Sequence, residues 1–209
     1  MEETLKKISD LYTDNVSRLG QTSAAVGWST PASQELRFDK LTSVIDASDT
    51  ELTINDYGCG YGAHLEYLLK HRFPVASYNG YDISSKMLSY ASRNLDQRTC
   101  SINLFESKTI STIADYSFAS GTFNVRFESE DTAWMEYIME SLDQLNRFSV
   151  KGFSFNLLTK YVDYREPHLF YGDPLFWFDH CKNRYSRFVS LLHDYNLYEW
   201  TITVRKNAK

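Results

Sequence analysis

The sequence has few cysteines and no excess of basic residues, and each shortage excludes a class of protein. The three cysteines, Cys59, Cys100 and Cys181, cannot all pair, and no CxxC spacing occurs. We therefore expect free thiols in a reducing cytoplasm and no metal site. Lys and Arg number 22 against 27 Asp and Glu, which gives a net charge of -5. This balance disfavours a groove that follows nucleic-acid phosphates.

Long apolar runs are also missing, and none approaches the length that crosses a membrane. The first residues, MEETLKKISDLYTDNV, lack both the apolar core of a signal peptide and the Arg/Ser bias of a transit peptide. The composition therefore predicts a cytoplasmic protein without a membrane partner. Its 209 residues suit one domain, or one domain with an extension.

The chain alternates between predicted strands and helices from residue 51 onward. Strands are predicted at 51–57, 77–83, 100–106, 114–121 and 151–159, and helices at 63–73, 84–96, 131–148 and 176–186. Two terminal strands within 187–206 turn near Tyr195, and so short a turn requires them to pair antiparallel. The pattern predicts an open α/β sheet, mostly parallel, with helices on both faces.

The first 50 residues form a predicted helical extension to the domain of residues 51–209. One helix spans 2–19, a loop of small residues spans 21–34, and a second helix begins at Ser33.

The stretch INDYGCGYGAHLEYL places Gly58, Gly60 and Gly62 between a strand and a helix. Glycine costs conformational entropy on folding, and a bound ligand is the usual compensation. A strand that breaks into such a loop presents backbone N–H groups and a helix N-terminus at the carboxyl edge of the sheet. Asp82 follows Gly62 by about 20 residues, the spacing of an acid that accepts hydrogen bonds from a ribose diol.

Two ligand classes use this arrangement, dinucleotides and S-adenosylmethionine. The run Gly58–Ala63 also satisfies a loose GxGxxA pattern. Three features favour S-adenosylmethionine, however: the helical leader, the antiparallel terminal pair and Asp56. At the position of Asp56, dinucleotide folds have a packed apolar residue. A carboxylate there suits the ammonium group of a methionine.

With these motifs the chain resembles the class I S-adenosylmethionine-dependent methyltransferases, of the small-molecule type with an N-terminal helical extension. The resemblance covers about residues 50–206, and motif I matches Asp56–Gly62. It implies a Rossmann-like seven-stranded sheet with an antiparallel terminal strand, and S-adenosyl-L-homocysteine as product. It also implies a glycine cradle at Gly58, Gly60 and Gly62, with Asp82 on both ribose hydroxyls and Ile83 and Met87 beside the adenine.

Other positions depart from the family pattern. The family often has an Asp after the third strand, where this chain offers Glu106 as a replacement. After the fourth strand, Ser120–Asn124 replaces the Asn/Asp-Pro-Pro-Tyr motif of enzymes that methylate nucleobase or glutamine amino groups. Ser120 is an expected cofactor contact, and the replacement favours a small-molecule acceptor.

Several candidates carry two interpretations. Trp28 is either a cofactor lid or a core residue, and Arg37 pairs either with the cofactor carboxylate or with a surface acid. His168 is the candidate general base for a hydroxyl acceptor, or a solvated loop residue. Tyr161 and Tyr171 either line the acceptor pocket or fix their loop in place. His64, on the first core helix, is expected to be structural.

The predicted function is methyl transfer to a hydroxyl or amine of a small molecule: a sugar, a phospho-compound or a secondary metabolite, in a surface-polysaccharide or natural-product pathway. The N-terminal extension, residues 1–50, is expected to close over the cofactor and to help form the acceptor site. Three alternatives remain: an NAD-dependent oxidoreductase, a non-catalytic adenosyl-binding module, and a protein or RNA methyltransferase. The sequence leaves the oligomeric state open.

Overall fold

One eight-stranded sheet forms the centre of the computed structural model, which describes residues 1–95 and 100–207. Its strands are β1 Leu52–Tyr57, β2 Val75–Asp82, β3 Ser101–Glu106, β4 Ala114–Ala119, β5 Ser149–Thr159, β6 Tyr171–Gly172, β7 Phe188–Leu192 and β8 Glu199–Arg205. The strand order is β3-β2-β1-β4-β5-β8-β7, with the short β6 paired to the end of β5. All pairings are parallel except those of β8, which runs antiparallel to β5 and β7.

Six α-helices accompany the sheet in the described ranges: α1 Glu2–Leu19, α2 Pro31–Thr42, α3 Ala63–Lys70, α4 Ser85–Asn94, α5 Asp131–Arg147 and α6 Pro174–Arg184. A 3-10 helix covers Ser23–Val26. Apolar residues of α2, α3 and α4 form one core cluster, and those of α5 and α6 form another. The sheet is therefore covered by helices on both faces, as the alternating pattern predicts.

Helix α1 lies across the carboxyl edge of the sheet. Its residues Leu5 and Ile8 pack in the cluster of α5 and α6, whereas Val16 packs with Tyr61 and Met87. The side chain of Ser9 donates a 3.1 Å hydrogen bond to the carbonyl of Ile83, directly after β2. The N-terminal extension thus covers the edge of the sheet where a ligand is expected.

The predicted fold class is confirmed, with β6 as an additional strand inside a segment predicted as a loop. Helix α2 begins at Pro31 rather than Ser33, because Thr30 is the N-cap and Ser33 completes the capping box from inside the helix. Helix α6 likewise begins early, at Pro174 after the Asp173 cap. The predicted end of the fourth helix, at Asp96, lies outside the described residues.

The division of the chain near residue 50 stays a prediction. Helix α2, in the extension, is bound to the sheet by two buried contacts. Ser154 of β5 donates a 2.9 Å hydrogen bond to the carbonyl of Leu41, and Arg37 pairs with Glu199 of β8.

Candidate active site

The glycine loop between β1 and α3 has the backbone conformation that its composition predicts. Gly58, Gly60 and Gly62 have φ angles of 77°, 55° and 87°, a region that residues with side chains rarely adopt. A Cβ at Gly58 would approach Thr122 Oγ1 to 2.5 Å, and one at Gly62 would approach Leu95 to 2.7 Å. A Cβ at Gly60 would meet no atom closer than 3.7 Å, and Gly60 lines an open cleft.

This cleft has a volume of about 910 Å³, including its open mouth, and lies at the carboxyl edge of the sheet. Its floor is the glycine loop with the ends of β2 and β4, and its roof is α1 with the segment around Val26 and Trp28. Hydrogen bonds at 2.7 Å between Thr13 and Ser84, and at 2.6 Å between Thr4 and Ser129, attach the roof to the loops below. Apolar side chains with a few polar groups line the cleft, as is usual for small-molecule sites.

Asp82 lines the cleft at the end of β2. Its two carboxylate oxygens accept 2.8 Å hydrogen bonds, one from the N–H of Gly60 and the other from the N–H of Ser84. Burial raises the pKa of this carboxyl from 3.8 to about 6, against the lowering effect of these two N–H groups. Because a carboxylate has about four acceptor positions, Asp82 retains capacity for a diol.

One end of the cleft, here called the outer end, combines apolar and polar side chains. Ile83 and Met87, which the family resemblance places beside the adenine, line it. Ser107 and Lys108 also line it, while Glu106 is exposed and lies outside the lining. The chain therefore presents the two residues after β3, rather than Glu106, to the cleft.

The opposite end, here called the inner end, is polar and buried. Asp56 is 1% exposed and accepts a 2.6 Å hydrogen bond from the hydroxyl of Tyr78. His64 stacks on Phe38 with ring centroids 4.8 Å apart, and its Nδ1 lies 3.7 Å from Asp56 Oδ2. Neither ring nitrogen of His64 has a hydrogen-bond partner among the described residues, and nor does the Ser120 hydroxyl, which lines the same cleft.

Arg37 does not line the cleft. Its Nε donates a 2.7 Å hydrogen bond to Oε2 of Glu199, and both side chains are buried. The guanidinium lies 3.7 Å from the ring centroid of Trp28, which does line the cleft. Arg37 thus supports the Trp28 ring through stacking, in place of either partner that the sequence suggested.

Trp28 lies over the segment after β4. A Cβ at Gly121 would collide with the Trp28 ring, so the indole requires glycine at this position. The N–H of Gly121 donates a 2.7 Å hydrogen bond to Asn156, and Thr122 donates a 2.8 Å hydrogen bond to the carbonyl of Tyr57. These contacts fix the segment that replaces the Asn-Pro-Pro-Tyr motif.

The predicted acceptor residues lie outside the cleft lining. His168 is exposed, and its carbonyl accepts hydrogen bonds from the N–H groups of Arg126 and Phe127. Tyr161 is 57% exposed, and the Tyr171 hydroxyl accepts a 2.9 Å hydrogen bond from the N–H of Glu166. The structure thus brings together the glycines, Asp56, Asp82 and Ser120, and leaves these three side chains apart from them.

Sequence reasoning missed part of the lining. The first helix was expected to close over the cofactor, but none of its residues was predicted as a contact. Leu5, Ile8 and Tyr12 of this helix line the cleft. Gln34 and His64 were missed because they come from two helices that meet only in the folded chain.

Comparison with known proteins identifies the family. A family model described as a methyltransferase domain matches residues 54–151. A protein of Mycobacterium tuberculosis (strain ATCC 25618 / H37Rv), "Putative methyltransferase Rv1506c", is 47% identical over 165 residues, which cover 78% of this chain and 98% of that protein. The chain belongs to the class I S-adenosylmethionine-dependent methyltransferases.

Solved methyltransferase structures share this fold at low identity. Magnesium protoporphyrin IX methyltransferase of Synechocystis PCC 6803 with bound SAH aligns with a TM-score of 0.68 and 12% identity, over 97% of this chain and 99% of that one. The plantazolicin methyltransferase BpumL, in complex with a desmethylPZN analog and SAH, aligns with a TM-score of 0.63 and 14% identity over both whole chains. The predictions of enzyme class and cofactor are confirmed.

The cleft of this methyltransferase fits an adenosyl ligand on its own geometry. The open space at Gly60, the spare acceptor capacity of Asp82 and the unpartnered polar atoms at the inner end suit a nucleoside joined to an amino acid. In the described part of the chain, no helix has the length and apolar character of a membrane span.

Proposed function

We propose that this methyltransferase acts on a hydroxyl or amine of a small molecule, such as a sugar, a phospho-compound or a secondary metabolite. The roofed cleft carries the proposal, because α1 and Trp28 cover the ligand-binding edge of the sheet. A folded protein or a nucleic-acid strand would need a more open approach, whereas a small acceptor fits beside the cofactor.

The chain's own residues act mainly by holding two reactants in line. When bound, S-adenosylmethionine supplies a methyl group on a positively charged sulfur. Asp82 and the glycine loop hold the nucleoside, and the roof excludes water. Proximity and orientation then provide much of the rate enhancement, because the leaving sulfur needs no protonation.

Trp28 and the segment after β4 are proposed to border the acceptor. Trp28 presents a flat ring that Arg37 supports from behind, and the rigid Gly121–Thr122 backbone lies beneath it. An aromatic wall over a fixed backbone suits a compact polar organic molecule. Tyr161 and Tyr171 stay predicted acceptor contacts, outside the lining described above.

The base role of His168 also stays a prediction. An amine acceptor needs only to be deprotonated, whereas a hydroxyl acceptor gains from a base within hydrogen-bond reach. If His168 is that base, His168→Ala lowers kcat for a hydroxyl acceptor by about 100-fold or more and leaves an amine acceptor unaffected.

Support from known relatives agrees with this acceptor class. The two solved structures named above carry names that refer to a porphyrin and to plantazolicin. The net charge of -5 continues to weigh against a nucleic-acid acceptor, and the three buried free thiols agree with the predicted cytoplasmic location.

A panel assay tests the proposal. Purified protein and S-adenosylmethionine are incubated with sugars, phospho-compounds, amine and phenol metabolites, a protein mixture and RNA, and S-adenosylhomocysteine release and methylated products are measured. We expect a methylated small molecule, and much less product with Asp82→Asn. Transfer to protein or RNA with no small molecule methylated would overturn the proposal.

A further inference from the structure

Buried polar atoms without partners gather at the inner end of the cleft. Both ring nitrogens of His64 and the hydroxyl of Ser120 are fully enclosed and lack a hydrogen-bond partner among the described residues. Leaving such groups unsatisfied costs about 1–3 kcal/mol each. Because both side chains line the cleft, a ligand bound there can supply the missing partner.

The position of Asp82 decides which part of the ligand reaches this end. With the ribose at Asp82 and the adenine between Ile83 and Ser107, the nucleoside occupies the outer end. The amino-acid portion of the cofactor then extends toward Asp56 and His64. This portion carries one ammonium and one carboxylate group.

The carboxylate favours a donor that can also carry positive charge, and the cleft lining has few side chains of that kind. Arg37, the donor that the sequence suggested, is bound to Glu199 and lies outside the lining. Of the described residues that line the cleft, only Lys108 and His64 can carry a positive charge. Lys108 lies at the outer end, where it pairs with Glu2.

We infer that His64, together with Ser120, binds the carboxylate of the cofactor's amino-acid portion, while Asp56 receives its ammonium group. A neutral imidazole has one N–H to donate in either tautomer, and a serine hydroxyl has another. The inference rests on S-adenosylmethionine as methyl donor and is independent of the acceptor proposed above.

A purely structural role makes a different prediction. His64 stacks on Phe38 at 4.8 Å and meets the edge of Phe118 at 4.8 Å, as a core ring would. His64→Phe retains a flat ring and removes both nitrogens, whereas His64→Asn removes the ring and retains a donor. The pair of variants therefore separates ring packing from hydrogen bonding.

Calorimetry with two ligands tests the inference. S-adenosylhomocysteine has the amino-acid portion, and 5′-methylthioadenosine lacks it. We expect His64→Phe to weaken S-adenosylhomocysteine binding about 10- to 100-fold while methylthioadenosine binding is unchanged. His64→Asn should recover part of the loss. Ile83→Ala, at the outer end, is the matched control and should weaken both ligands by the same factor.

An unchanged affinity ratio in folded His64→Phe, or an equal loss for both ligands, would overturn the role of His64. Should that variant not fold, the wild-type protein with ¹⁵N-labelled histidines provides the test. One buried ring should shift on adding S-adenosylhomocysteine and not on adding methylthioadenosine; identical spectra with both would contradict the inference. Failure of the wild type to bind S-adenosylhomocysteine would overturn the donor and the inference together, whereas an acceptor panel without product would affect only the proposed function.

Discussion

Asn55 and Asp56 are neighbours in β1, and each carries a buried polar side chain to an opposite face of the sheet. On the Asn55 face, Asn79 of β2 donates a 3.1 Å hydrogen bond to Asn55, and Asn103 of β3 donates one of 3.1 Å to Asn79. The side-chain N–H₂ of Asn55 donates a 2.8 Å hydrogen bond to the carbonyl of Thr112. We call these three residues the asparagine ladder.

On the Asp56 face, by comparison, not every buried polar side chain in the described part of the chain has a hydrogen-bond partner. Asp56 has its Tyr78 partner, but the nearby His64 has none among the described residues. Equally buried polar groups thus differ in whether the chain itself satisfies them. A satisfied network fixes strand register and acts on stability, while an unsatisfied one beside a cleft acts on binding.

The largest expected effect is a loss of stability when the asparagine ladder is broken. Asn79→Ala leaves the oxygen of Asn55 without a donor and Asn103 without an acceptor, which should lower the free energy of unfolding by about 3 kcal/mol. Urea denaturation measures this loss, and the native fraction should bind S-adenosylhomocysteine normally. Asn103→Ala is the control: Asn103 is exposed, so its loss should cost much less. Weakened binding by a fully stable Asn79→Ala protein would contradict the division of roles.

An intermediate effect is expected at Asp82, on binding. Asp82→Asn should weaken S-adenosylhomocysteine at least about tenfold, because an amide replaces one acceptor oxygen with a donor. Since the pKa of Asp82 is about 6, wild-type affinity should fall as the pH is lowered below 6, and the variant should lose this dependence.

The raised pKa of Asp82 also determines the direction in which stability changes with pH. The contribution of protonated Asp82 is fully present below pH 3.8 and is lost as the pH rises through about 6. Titration calorimetry between pH 5 and 8 measures the affinity, and urea melts from about pH 3.5 to 7 measure the stability. An affinity independent of pH in the wild type would argue against an ionised Asp82 as the ribose acceptor.

The smallest expected effect is at Glu106. This side chain is exposed and outside the cleft, so Glu106→Gln should change S-adenosylhomocysteine affinity by less than about twofold and stability by less than about 0.5 kcal/mol. Calorimetry and urea melts measure both. A tenfold weakening would mean that Glu106 turns into the cleft when the ligand binds.

Local signals account for what the sequence predicted well. The glycine loop and Asp82 lie within one continuous β-α-β-α segment, where short spacing fixes their relative positions. Ile83 and Met87 belong to the same segment, and it is the family resemblance that places them beside the adenine. The antiparallel terminal pair follows from the length of its turn.

Partners distant in sequence were beyond that reasoning. Arg37 and Glu199 are separated by 162 residues, and no local sequence pattern predicts that they pair. From the sequence, His64 is expected to be a core residue of α3. Only the structure shows that its two ring nitrogens lack hydrogen-bond partners among the described residues and that the residue lines the cleft. His168 follows the expected strand, yet its loop directs it to solvent.

The sequence by itself determined the order of strands and helices, the cofactor-binding loop and its acid, because these depend on backbone conformation and short spacing. The tertiary structure decided which cations are already engaged, which polar groups lack partners and what covers the cleft. Those properties arise only where α1, α2 and the sheet edge meet, since burial and hydrogen-bond satisfaction belong to the packed chain and not to any segment of it.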